Sequence, residues 1–483
     1  MRGVFVPSML VRERTKQFHT DAVLCGVSAL ALGANAPTLL REEALTYPDS
    51  SGAKVFGSRA RVKAEKMVVA NCSAVRDWDS NGTNFGFNPS LGHTAGEFGH
   101  NDFYAVAIAA CQCAGMDGRS ALLGMILIDE IRGRLAEVFS LKTYKIDHVV
   151  HGAIASAAVY AGLMGATAEQ IESAIGLTVA HYIPWRAIRA GQQLSDSKGA
   201  SAAISAEVAV LSAKRAMTGF VGPGDIFRNP ESLFRRFEPT RGDSPFRLVL
   251  AKEGDDFAVM GMHFKIGLYE HQSAGGLQGV IDLLVKYPEL RQVDRISRIL
   301  VTAYEPAFGI IGDPAKRDPR TRQSADHSML YILSTFLRKA GKILDAGETH
   351  SDAVWQKLIL MPADYDEQAL FDETTRSLMS RMEFAHGGPE YDARYPDGIP
   401  TSVQIWLDDG SEFDSGLIMY PAGHARNRTC NLEALLLTKF ERLANIGMAK
   451  PEEAVEFVGR LKELDVLSAD ELLDLYLLKI AGC

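Results

Sequence analysis

The chain has 483 residues, 47% of them hydrophobic, and a formal net charge of −9. At about 150 residues per domain, that length allows two or three domains with large cores. No run of like charge exceeds a few residues, which argues against a nucleic-acid partner, and no apolar stretch reaches the ~18 residues of a membrane span.

The six cysteines, Cys25, Cys72, Cys111, Cys113, Cys430 and Cys483, lack the spacing of a disulfide framework, so a reducing compartment fits them, with the cytoplasm as default. Cys111 and Cys113 read as small buried hydrophobes in a helical run.

In chain order, Thr15 to Leu32 reads as an apolar helix. Ala22 to Ala36 imitates a signal-peptide core, but Glu13 and Asp21 interrupt the basic flank, so a buried helix is expected. Pro48 to Ser58 is turn-rich, and Ala60 to Ala74 is helical in pattern. Asp77 to Tyr104 is a long loop holding five Gly, two His, three Asp and one Glu among aromatic residues. A long loop of this kind that can bury aromatic rings is expected to be ordered and functional. Asp102 to Met116 and Gly118 to Phe139 read as helices, and another begins near His148. Thr167 and Gln170 form a capping box ahead of a helix over Ala168 to His181. Gly199 to Thr218 is an alanine-rich helix with small contact residues.

The pattern changes after His263. Arg295 to Glu305 and Thr401 to Leu407 alternate as strands do, Asp409-Gly410 is a hairpin signal, and Glu412 to Met419 can pair back. Ser324 to Ala340 is helical, and the tail returns to helix over Leu432 to Met448, Pro451 to Leu464 and the Ser468/Glu471 capping box. The expected fold is mostly α. A large all-helical domain takes residues 1–263 together with 434–483 and is therefore discontinuous, and a smaller α+β domain takes 264–433.

Five groups carry candidate chemistry. The loop offers Asp79, Thr83, His93, Glu97, His100 and Asp102, and a histidine near a carboxylate is the usual acid–base unit. His93 and His100 do not have a recognised metal spacing. Asp147-His148 with His151 stands at a helix start, with both rings on one helical face. Arg186, Arg189 and Lys198 lead into the small-residue helix and form a candidate polyanion site. His263-Phe264-Lys265 and Glu270-His271-Gln272-Ser273 lie at the change of pattern, and Gly423 to Arg428 is a cationic turn. Walker, GxSxG and HExxH motifs and a strand-linked GxGxxG are missing, which leaves an acid–base enzyme for a small multi-carboxylate substrate.

These residues resemble the MmgE/PrpD family over nearly the whole chain, closest to its methylcitrate dehydratase branch. The resemblance is carried by Asp79 to Thr83 with Gly99-His100, by Asp147-His148, and by Arg186 to Lys198. It continues through Phe264-Lys265 with His271 to Ser273, Asp326-His327, and Tyr420-Pro-x-Gly-His-Ala-Arg426. It implies a helical domain built from both chain ends with a smaller α+β lid, a homodimer, and no metal or cofactor. The implied activity is loss of water from 2-methylcitrate to give 2-methyl-cis-aconitate in propionate catabolism, in the cytoplasm or, in a eukaryote, the mitochondrial matrix. His100 and His148 are then the acid–base pair, and Lys198 and Lys265 stabilise the developing charge. Asp79, Thr83, Arg186, Arg189, His271 and Arg426 contact or orient the substrate. Two departures from what the resemblance implies are an amino terminus shorter than the family pattern and Phe308 where the family's decarboxylase has a tyrosine. The alternatives are a decarboxylase or epimerase on a similar polycarboxylate, and, in a different class, a non-catalytic helical binding protein.

Overall fold

The computed structural model describes residues 5–91, 93–94, 101–189, 193–311, 316–344 and 347–482. The chain divides into two compact units. The first holds Met1–Ile188, Asp196–Met262 and Phe440–Cys483, and the second holds Arg189–Ser195 and His263–Lys439.

The first unit is built on α1 (Met9–Ala31), α2 (Asn35–Leu45), α3 (Ala64–Asp77), α4 (Tyr104–Ala114), α5 (Gly118–Val138), α6 (Val149–Leu163), α7 (Ala168–His181) and α8 (Asp196–Met217). Helix α1 starts earlier than its apolar run predicts, because the Ser8 hydroxyl accepts from the Val11 amide and caps it. It is buried all round from Phe18 to Leu30, so Ala22 to Leu30 lies in the core. The carboxy-terminal segment packs back on it: Lys16 pairs with Asp465 at 2.9 Å, and His19 Nε2 meets the Tyr476 hydroxyl at 2.9 Å. Helix α8 packs on α3, α6 and α7. Its inward residues Gly199, Ala200, Ser201, Ala202, Ala203 and Ser205 are small, and small contact residues shorten the distance between helix axes. Short strand pairs qualify the all-helical expectation for this unit. Val6–Pro7 pairs with Glu253–Gly254, Pro48–Lys54 with Arg61–Val62, and Phe87–Asn88 with His93–Thr94.

The second unit carries a four-stranded sheet in the order Glu412–Asp414, Thr401–Leu407, Ile296–Ala303, Met382–His386. The first two pairings are antiparallel and the last is parallel. Ile299 faces Ile405 and Val301 faces Val403, all four buried. The helix Ala274–Lys286 covers that face and approaches through glycine. A Cβ on Gly279 would lie 3.1 Å from a Val403 methyl. The other face is polar: Arg298 pairs with Glu383 at 2.7 Å and lies over the Trp406 ring. The last strand is shorter than the predicted Glu412 to Met419. After Asp414 the Ser415 hydroxyl accepts the Val403 amide in place of a backbone carbonyl, and Gly416 turns the chain at φ +67°.

Candidate functional site

In the first unit the predicted loop begins at the end of α3 and is tied down at its other end by Asn101. Asn101 Oδ1 accepts the Gly82 amide at 2.7 Å, and its side-chain amide donates to the Phe18 carbonyl of α1. One side chain thus ties the Gly82 end of the loop and the start of the following helix to α1. His100, with residues 95–99, lies outside the described residues, as does the environment of the His93 side chain.

Four charged side chains meet at this anchor. Lys198 occupies the first turn of α8, is fully buried, and places Nζ 3.6 Å from Asp79 Oδ2. Asp79 Oδ1 lies 3.2 Å from Arg76 Nη1, and Arg76 Nε lies 3.7 Å from Asp102 Oδ2. All four side chains are at most 2% exposed. Buried charges persist only when matched, and here two cations alternate with two carboxylates. The predicted Asp79 and Lys198 are thus brought together over 119 residues of chain, and Asp102 joins them through Arg76. Arg76 was not foreseen. Its i,i+3 spacing to Asp79 across the end of α3 is the local signal that points to it. Thr83 is buried, and its hydroxyl has no hydrogen-bond partner among the described residues.

Asp147-His148 stands at the start of α6, with His148 Nδ1 3.6 Å from Asp147 Oδ1 and both residues buried. Asp147 also receives the Val149 amide at 3.3 Å, so the carboxylate is fixed by the helix it precedes. Backbone pairing then brings Arg186 to this dipeptide: the Asp147 amide donates to the Pro184 carbonyl, the Arg186 amide donates to the Lys145 carbonyl, and Ile146 bridges Trp185. Burial and then the Asp147 charge push the Tyr182 phenol up to about 12. The start of α6 reaches the anchored loop through Gly152, where a Cβ would lie 2.1 Å from the Phe103 ring. Phe103 follows Asp102 of the cluster, and His148 lies one helical turn before Gly152. His151 does not share a site with His148. It is buried in an aromatic core, its Nε2 3.1 Å from the Phe139 carbonyl and its ring stacked on Phe234, and burial holds it down at about 4.

In the second unit Lys265 is buried, and its carbonyl accepts from the buried Lys439 ammonium at 2.9 Å. Three buried imidazoles stack. The His263 and His424 ring centroids lie 4.0 Å apart, and those of His263 and His271 lie 5.3 Å apart. Gly423 makes the neighbouring contact possible: its φ is +85°, its carbonyl accepts the Phe264 amide at 2.8 Å, and a Cβ would fall 2.3 Å from the Phe264 carbonyl oxygen. The turn after the last strand thus presents His424 to the interior. Arg426 is turned to Asp397 at 2.8 Å and is 38% exposed. Arg189 is half-buried at the end of the short turn Arg186–Arg189.

A further pair, Asp326-His327, carries part of the family resemblance but stands outside the five candidate groups. Asp326 Oδ1 holds His327 Nδ1 at 2.7 Å, both residues buried, and the Asp326 carbonyl accepts the Glu270 amide. A carboxylate on Nδ1 orients the ring and leaves Nε2 to exchange a proton. The signal was the repeated Asp-His dipeptide, since His327 precedes the helix Met329–Ile343 much as His148 precedes α6.

The MmgE/PrpD N-terminal domain profile matches residues 6–244, and the MmgE/PrpD C-terminal domain profile matches residues 353–462. The 2-methylcitrate dehydratase of Salmonella typhi is 24% identical over 482 residues, covering 95% of this chain and 91% of the relative. The mitochondrial 2-methylcitrate dehydratase of Yarrowia lipolytica is 26% identical over 379 residues, covering 76% of this chain and 68% of the relative. A cis-aconitate decarboxylase-like protein of Aspergillus oryzae is 28% identical over 220 residues, covering 43% of this chain and 44% of the relative.

Proposed function

Because this chain belongs to the MmgE/PrpD family, we propose that it is a lyase acting on a small polycarboxylate, and specifically that it removes water from 2-methylcitrate to give 2-methyl-cis-aconitate. The observation that carries this reading is Lys198, a fully buried ammonium 3.6 Å from Asp79 at the start of a helix. Relatives named 2-methylcitrate dehydratase, similar along most of the chain, support the same reaction class.

The reaction removes a proton from a carbon next to a carboxylate and expels a hydroxyl from the neighbouring carbon. The C–H electron pair becomes the new double bond, the C–O bond breaks, and the departing oxygen takes a proton to leave as water. Negative charge builds on the carboxylate beside the reacting carbon. A fixed cation in a dry site stabilises that charge far more than a solvated one does. Lys198 has this role, and Arg76 and Asp79 hold its surroundings in place. His148, oriented by Asp147, transfers one of the two protons, and His100 is the candidate for the other. Arg186, brought beside Asp147-His148 by backbone pairing, suits a carboxylate not involved in the chemistry. In the second unit the groups of matching chemistry are Lys265, His271 and the Asp326–His327 pair. Arg426 is engaged by Asp397 and is not assigned to substrate.

The test is incubation of the purified, chelator-treated protein with 2-methylcitrate and, separately, with cis-aconitate. Absorbance follows the conjugated double bond and mass spectrometry follows the mass change. Loss of water from 2-methylcitrate is the expected result. Loss of carbon dioxide from cis-aconitate would move the assignment to decarboxylase, and inertness toward both would refute the substrate assignment.

A further inference from the structure

Of the three stacked imidazoles in the second unit, His271 is among the groups assigned to the substrate, and His263 and His424 have no role assigned so far. His263, His271 and His424 are each at most 4% exposed. His263 is the middle ring, inclined by 25° to each neighbour. Two consecutive backbone amides of the turn fix the middle ring and one outer ring: the Ala425 N–H donates to His263 Nδ1 at 2.9 Å, and the Arg426 N–H donates to His424 Nδ1 at 3.1 Å. A ring nitrogen that accepts an amide proton carries none of its own. Both rings are therefore held with any proton on Nε2, in a single tautomer. Burial, reinforced by the Arg426 charge, holds His424 down at about 3, so this ring is neutral at any working pH. The Tyr420 ring lies 5.1 Å from the His424 ring, tilted by 43°. Gly423 permits the turn that delivers both amides, since no other residue fits its contact with Phe264.

This arrangement costs the fold two buried histidines and a strict glycine. Aliphatic side chains would fill the same volume without polar atoms to satisfy. What imidazoles add is a flat face of fixed orientation and fixed tautomer against a third ring. We infer that His263 and His424 are positioning residues for His271: they hold the plane of its imidazole through the stack, and so set how it meets a carboxylate of the substrate. This rests on the lyase reading for the role of His271 and adds two residues to it. The rings act through His271 and touch no reacting atom themselves.

The test is a double-mutant cycle with 2-methylcitrate as substrate. His424→Ala removes the outer ring and is expected to raise KM about tenfold, with a smaller change in kcat. His424→Phe, which keeps a flat face, is expected to restore most of the loss. In a His271→Ala background, His424→Ala is expected to add less than a twofold further effect, because the ring it served is gone. Equal effects of His424→Ala in the two backgrounds, or a KM unchanged in the folded variant, would overturn the inference. Should His424→Ala fail to fold, His263→Leu carries the same cycle, since it removes the flat ring in the middle of the stack, and His263→Phe, which keeps that ring, is the matching control expected to restore most of the loss. Nitrogen-15 spectra of the histidine rings separate this inference from the lyase reading. A wild type inert to every polycarboxylate refutes the lyase reading. Even then, a His271 ring resonance displaced by His424→Ala but not by His424→Phe supports the stack, and one unmoved by both sinks it.

Discussion

Replacing Lys198 by methionine tests the charged cluster most directly, because methionine is an unbranched side chain only one heavy atom shorter and carries no charge. The ammonium lies 3.6 Å from Asp79, so the gross attraction is about 4–5 kcal/mol at an effective dielectric constant near 20. Most of that is offset by the cost of keeping both groups dry. Breaking a buried pair usually costs about 3–5 kcal/mol, since the surviving charge is stranded. Asp79 is not stranded here, because Arg76 remains 3.2 Å away. The expected loss of stability is therefore smaller, about 1–3 kcal/mol, read as a modest fall in melting temperature. Catalysis should suffer more. A preorganised donor aimed at developing charge contributes roughly 100- to 1,000-fold to kcat, and the variant is expected to lose that much turnover of 2-methylcitrate, measured by absorbance at saturating substrate. A folded Lys198→Met protein whose kcat stays within threefold of wild type would refute the role given to this lysine.

His148→Gln removes the proton-transfer group but can keep a polar contact to Asp147, and it is expected to lower kcat by roughly 100- to 10,000-fold and to erase one limb of the pH–rate profile, with a melting temperature near that of wild type. Stability should fall in acid. Burial holds His151 at about 4, and His19 and His424 at about 3, all below the ordinary histidine value. Between about 6.5 and those values the unfolded chain binds protons that the folded chain does not, so unfolding becomes easier as pH falls. Each of these rings costs about 2 kcal/mol between pH 7 and 5. A thermal melt series should show a shallower pH slope for His151→Phe, and an unchanged slope would contradict the burial argument. Gly423→Ala should destabilise by about 1–2 kcal/mol from its left-handed backbone alone, and by more from the contact with the Phe264 carbonyl. A melting temperature equal to wild type would count against that geometry.

Much of the fold is legible because it is decided within a few residues. The Thr167/Gln170 capping box forms in both directions, with the Thr167 amide on Gln170 Oε1 at 2.9 Å and the Gln170 amide on Thr167 Oγ1 at 3.2 Å. The Ser468/Glu471 box does the same. The alternation of Thr401 to Leu407 and the turn at Asp409-Gly410, where Gly410 has φ +86°, mark a strand and its hairpin. Helix α1 was misplaced at its start because Ser8 follows Pro7 in a mixed segment, with no acidic or amide partner three residues on to announce a cap.

Other features have no local trace. The parallel pairing of Ile299 with Met382 joins segments far apart in the chain: Arg295 to Glu305 alternates as a strand, but the five residues Met382–His386 are too short to announce one or its partner. Asp79, Asp102, Lys198 and His148 were recognisable as residues capable of chemistry. Which of them meet depends on α8 packing along α3 and on Asn101 pinning the loop to α1. The turn at Gly423 read as cationic in the sequence, yet folding directs His424 inward onto His263 and leaves Arg426 with Asp397. The sequence alone determined helix caps, strand alternation and the list of reactive groups, because those depend on neighbours within one or two turns. The tertiary structure decided which charges are buried against one another and which imidazoles stack, because burial and contact arise only when segments a hundred residues apart share one core.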